Sequence, residues 1–224
     1  GEAVDTIRPA DGSTSLLLAA LGGHTATVAL LLEHNASPAI AKSNGATPVF
    51  AAAAADAAEC VRLLCAAGAP VDAANNHGVT PLQMAAHKNH SASMAVLLSL
   101  GADPTTADNA GNTALHKAAR ADAVAAVDAL LEAGDVRTLL SVENHSKQSA
   151  AEMGMLANAH EATGRLMRAE RTLAAEAAQR VEQLEADAAK QAAAAEAAAA
   201  ERTQLAAQIA KEREQCSLLT AELD

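Results

Sequence analysis

The chain has 224 residues, half of them apolar, with a single aromatic, Phe50, and a formal net charge of −11. The apolar excess is alanine, so the core is expected from thin layers of small side chains rather than a thick sandwich. The acidic balance argues against a general nucleic-acid binder, which needs basic surface to displace counterions. No apolar run approaches the ~20 residues that span a bilayer.

Residues 1–10 form an edge. Gly1-Glu2-Ala3-Val4-Asp5 resembles Gly68-Ala69-Pro70-Val71-Asp72, so the edge reads as the end of a further repeat or as a frayed terminus. The chain does not begin with Met and is read as a fragment. From residue 11 the chain repeats itself. Gly12-Ser13-Thr14-Ser15-Leu16-Leu17-Leu18-Ala19-Ala20 returns 33 residues later as Gly45-Ala46-Thr47-Pro48-Val49-Phe50-Ala51-Ala52-Ala53. The same step gives Gly78-Val79-Thr80-Pro81-Leu82-Gln83-Met84-Ala85-Ala86, and then Gly111-Asn112-Thr113-Ala114-Leu115-His116-Lys117-Ala118-Ala119. An unbroken period of this length means a stacked repeat protein. The repeats run over 11–43, 44–76, 77–109 and 110–143.

Each column of the repeat has a physical reason. The glycines suit a positive φ at the turn into a helix. The threonines suit an N-cap, and Pro48 and Pro81 follow at the first helical position. The paired alanines let neighbouring helices approach closely. A second helix carries Leu30/Leu31, Leu63/Leu64, Val96/Leu97 and Ala129/Leu130, and ends at Asn35, Gly68, Gly101 and Gly134, residues that tolerate a left-handed C′ position.

A slightly longer connector, Asp135-Val136-Arg137-Thr138-Leu139-Leu140, leads to a degenerate fifth repeat at 144–167. There Ser146 takes the glycine place and Gln148 the threonine place, so a weaker cap is expected. His160 aligns with His24 and His90, and Gly164 with Val28, which predicts a soft spot. From Arg165 onward no Gly or Pro appears, and one long helix is expected across 168–224, roughly 100 Å if it starts at Asn158. With Ala174 as position a, the a/d series is Ala174, Ala177, Val181, Leu184, Ala188, Gln191, Ala195, Ala198, Arg202, Leu205, Ile209, Glu212, Cys216, Leu219 and Leu223. The alanines bury little, so a coiled coil here is weak or closely spaced, and an antiparallel arrangement is open.

The 33-residue period and the G-x-T-P-L-x-x-A-A pattern resemble the ankyrin-repeat family. The resemblance covers residues 11–167 and implies an all-α class: a solenoid of helix–turn–helix–β-turn units, here followed by a long Ala-rich helix or coiled coil. It implies a non-enzymatic protein-binding module or adaptor, with the tail helix for oligomerisation or spacing. The alternatives are the targeting arm of a larger enzyme, such as a ubiquitin ligase or kinase, and a scaffold for membrane or cytoskeletal complexes. It further implies that the histidines of the His24 column and His116 are structural, and that variable first-helix positions face a concave groove. In the first repeat these positions are Leu18 and Leu21; in the third and fourth they are Met84, His87, Lys88, Lys117 and Arg120. The groove is therefore expected to be apolar toward the N-terminal repeats and to favour acidic groups further along. Lys42, Asn75 and Asp108 are expected at the β-turn fingertips.

No motif calls for catalysis, a cofactor or a metal. The histidines fall one per layer, too far apart to converge on an ion. Cys60, Cys65 and Cys216 form no C-x-x-C and read as free thiols in a reducing compartment. The expectation is a cytoplasmic protein, the nucleus left open. It binds a protein partner, has the option of a homo-oligomer through the tail helix, and engages neither nucleic acid nor membrane interior.

Overall fold

Four threonines and one serine start the first helix of each repeat. Thr14, Thr47 and Thr80 sit in extended backbone and accept from the N–H groups of Leu17, Phe50 and Gln83 at 3.2–3.3 Å. These caps open α1 (Ser15–Leu21), α3 (Pro48–Ala54) and α5 (Pro81–His87). Thr113 precedes α7 (Ala114–Arg120), and Ser149 precedes α10 (Ala150–Leu156). Each first helix is followed by a longer second one: α2 (Thr25–Glu33), α4 (Ala58–Ala66), α6 (Ser91–Ser99), α8 (Val124–Ala133) and finally α11 (His160–Ala221). A short extra helix, α9 (Val136–Ser141), precedes the fifth repeat. The structure is a computed structural model that describes residues 4–221, and the side chains of residues 4–213; no strand occurs among them. Gly1, Glu2 and Ala3 of the edge, the side chains of Cys216 and Leu219, and Leu223 lie outside the described residues.

Two compact units are distinguished, residues 1–171 and 172–224. In the first, helices α1 to α10, of six to ten residues, are too short to persist alone in water, so packing must hold them. One apolar core runs through it from Leu16 to Leu166. The expected alanine pairs form its tightest layer: Ala20, Ala53, Ala86 and Ala119 are each 0 % exposed. Outside the helices, the turn tips are joined across repeats by backbone hydrogen bonds. Ser43 N–H donates to Asp11 O, Asn76 N–H to Asn44 O, Asn109 N–H to His77 O and His145 N–H to Ala110 O, all at 2.9–3.0 Å. Gly45 (φ +81°) shows why the column is glycine: its backbone is left-handed, and a Cβ there would collide with Asn76 of the next tip. The edge segment docks as a connector. Val4 packs on the core as Val71 does, and the Asp5 carboxylate accepts from Ser37 N–H (3.0 Å) as Asp72 does from Asp103 N–H (3.2 Å).

A second capping system crosses between repeats. The turn from first to second helix holds Gly23, Asp56, Asn89, Asp122 and Asn158, all at positive φ. None of the second helices α2, α4, α6 and α8 is capped by its own preceding side chain. Instead Asp56 accepts from Ser93 N–H (3.0 Å), Asn89 from Ala126 N–H (3.0 Å) and Asp122 from Ala162 N–H (2.8 Å). Each of these three side chains thus satisfies a free N–H in the first turn of the next repeat's second helix.

The fifth repeat corrects several expectations. The connector at 135–140 is helical, capped by Asp135 (Arg137 N–H at 3.3 Å), and it lengthens the spacing from Thr113 to Ser149 to 36 residues. Lys147, not Ser146, takes the left-handed position (φ 60°), and Ser149, not Gln148, is the cap. The cap is no weaker: Ser149 and Glu152 exchange reciprocal bonds in a capping box. Gly134 is extended (φ −128°) rather than left-handed, because α9 begins two residues later. Ala159 replaces His160 in the His24 column, buried where His160 is exposed. Asn158 lies in the preceding turn, so α11 starts at His160. Thr163, not Gly164, sits where Val28, Val61, Met94 and Val127 sit, and its buried Oγ1 has no hydrogen-bond partner. Gly154 is required beside it, since a Cβ there would overlap that oxygen. The feature here that works against stability is therefore the unpaired Thr163 hydroxyl, not a glycine in the core column.

Candidate functional site

The third and fourth repeats differ from the others on their first helices, and a shallow pocket of ≈ 210 Å³ lies between them. Val79, Gln83, Met84 and His87 line one side, Lys117 and Arg120 the other. Its floor is fixed. Gln83 is 1 % exposed; its Oε1 accepts from Thr80 N–H (3.1 Å), and its Nε2 donates to Thr106 O (2.7 Å) and Asn112 O (3.0 Å). In the next repeat His116 does the same work. Its Nδ1 accepts from Thr113 N–H (3.3 Å), which assigns the proton to Nε2, bonded to Gln148 O (3.0 Å). Burial holds its pKa below the ordinary imidazole value. His116 is a structural bridge between repeats, as its column implies.

The three cations of this face are unequal. Lys88 Nζ donates to Ala54 O (3.0 Å), the end of α3. Lys117 pairs with Asp108, whose side chain is only 6 % exposed. That carboxylate also accepts from Ala110 N–H and Asn112 N–H, both at 2.9 Å. Burial works against its ionisation, but the bonds from Lys117 and the two amides prevail, so its pKa lies below the usual carboxylate range. Arg120 is exposed and pairs with no carboxylate among the described residues. Of these three cations Arg120 alone is uncommitted among the described residues; His87 beside it is exposed.

The remaining sequence candidates divide differently. Leu18 and Leu21 are 39 % and 47 % exposed on α1, outside the pocket. Lys42 is half-buried at its tip. Asn75 is spent on its own turn, its Oδ1 accepting from His77 and Val79 N–H (2.9 and 3.1 Å). Asp108, expected at a fingertip, is 8 % exposed and engaged with its turn and Lys117. Val79 and Gln83 were missed; the signal for Gln83 was a polar residue in a column otherwise holding Leu17, Phe50 and His116. His90 Nδ1 lies 3.2 Å from Ala53 O, a contact between repeats. Cys60 is buried and Cys65 half-buried, its thiol pKa raised by burial.

A family model described as ankyrin repeats (3 copies) matches residues 1–75 and again 67–140. The chain belongs to the ankyrin-repeat family. No curated protein matches it. Ankyrin repeats are generally protein–protein interaction modules, and an all-helical ankyrin fold is typically a non-catalytic one. The ankyrin stack here carries no group of His, Cys, Asp and Glu arranged to hold a metal among its described residues, and no described helix is long and apolar enough to cross a membrane.

Proposed function

We propose that this ankyrin stack binds a partner protein through the pocket between α5 and α7, and that the tail helix joins copies of the chain. The observation that carries the first part is the pairing of an apolar wall, Val79 and Met84, with the uncommitted guanidinium of Arg120 on a rigid floor. Such a site suits a segment that presents one apolar side chain beside a carboxylate, the guanidinium supplying a bidentate contact.

The test is a peptide-display selection against the full chain, followed by Arg120→Glu. Lys117 is a poor choice for reversal because it holds the Asp108 turn. Selected peptides should share an acidic residue next to an apolar one, and Arg120→Glu should weaken them about tenfold. Peptides without that pattern, or affinities indifferent to Arg120, would overturn the assignment.

A further inference from the structure

Beyond Leu173 every described side chain of α11 is exposed. Most are alanine or charged, yet Val181 (54 %), Leu184 (62 %), Leu205 (59 %) and Ile209 (45 %) share one stripe of the helix. We infer that this stripe is the seam of an antiparallel pair formed with a second copy of the chain, in which Leu184 packs against Ile209 and Arg202 against Gln191 of that copy. The inference rests on the reading of the tail as a self-association element and gives it an orientation and a register.

The charges along the stripe decide the orientation. In a parallel, in-register pair every layer holds the same residue twice. Arg202 would then face Arg202 and Glu212 would face Glu212 inside the seam, where like charges lose their water and repel. Among the described side chains the only compensation is Arg180 with Glu185 of the other copy, an exposed flanking pair of the kind that contributes little. Turning one helix round removes both conflicts. Arg202 now meets the Gln191 amide, which can accept from it, and Glu212 meets Val181 at the end of the seam. Leu205 falls opposite Ala188, large against small, so the layers interdigitate. At the two-fold axis Ala195 meets Ala198, and these methyl-only layers let the helices approach closely. No flanking position then meets a like charge among the described side chains. The alanines that make a parallel seam poor are thus placed where an antiparallel one is closest.

Orientation can be read from one substitution in the full chain. In the antiparallel dimer Gln191→Glu sets a new carboxylate against Arg202 in two symmetric layers. In the parallel dimer it sets two new carboxylates against each other. Sedimentation equilibrium over a concentration series should show a dimer that tightens about threefold or more in Gln191→Glu. It should be lost in Leu184→Glu, with helicity by circular dichroism unchanged, because alanine-rich helix needs no partner. A dimer that loosens in Gln191→Glu overturns the antiparallel register while leaving self-association standing. A chain that is monomeric throughout, or a dimer indifferent to Leu184→Glu, overturns both.

Discussion

Alanine does opposite work in the two units of this chain. In the stack Ala20, Ala53, Ala86 and Ala119 are wholly buried, and the absence of anything larger is what lets neighbouring helices touch. In residues 172–213 alanine is exposed and contributes only its helix propensity. One unit is helical because it is packed, with segments too short to stand alone; the other is helical through its local sequence. The same residue therefore marks a place of high sensitivity in the first and of tolerance in the second.

Matched substitutions would break that comparison if it is wrong. Ala86→Leu should overpack the layer between repeats and lower stability by about 3 kcal/mol, whereas Ala193→Leu, off the seam of the tail, should stay within about 0.5 kcal/mol. Calorimetric melts of the two variants are the measurement, and equal losses would show that the tail too is packed. A smaller effect sharpens the account of how repeats are coupled. Asp122→Gly keeps the left-handed turn but removes the cap on Ala162 N–H, and should cost about 1 kcal/mol. Urea unfolding of that variant with no change in midpoint would make the bond incidental.

The last effect is in pH. His116 has its pKa lowered in the fold by burial, so the unfolded chain binds the extra proton first. Its contribution is fully present above the unfolded value, near 6.5, and is lost as the pH falls through that value toward the folded one. Stability should therefore drop as the pH falls from about 7.5 through the unfolded value, above the range in which the depressed carboxylates Asp103, Asp108 and Asp135 begin to matter. His116→Gln should flatten the profile, since Gln83 already makes the equivalent bridge one repeat earlier. A slope that survives the substitution would assign it elsewhere.

How much of this was legible beforehand depends on whether a residue's partner is local. The caps Thr14, Thr47 and Thr80, the left-handed Gly12, Gly45, Gly78 and Gly111, and the alanine layers each follow from the repeat itself and are found at the expected columns. The helix α9 was hidden because Asp135 and the short run after it read equally well as a loop. Its three extra residues moved the register of the fifth repeat, so Ser146 and Gln148 were read one place too early and His160 and Gly164 one place too late. The pocket was half visible. Met84, His87, Lys117 and Arg120 stood out as variable positions, but the commitments of Lys88 to Ala54 and Lys117 to Asp108 run between elements and leave no mark in sequence spacing. The Gly23, Asp56, Asn89, Asp122 and Asn158 column was in plain view as a set of residues that tolerate left-handed backbone, and its purpose lies one repeat away.

That column also gives the stack a direction. Asp56, Asn89 and Asp122 each reach forward, to a helix that leaves the ribosome after they do. A nascent chain carries each of these acceptors before the amide that will donate to it, so repeats three to five can be completed in the order of their synthesis. Truncation is correspondingly lopsided. Trimming from the far end leaves spare acceptors facing water, which tolerate it, whereas trimming past Asp56 from the near end leaves the first turn of α6 without the side chain that finishes it.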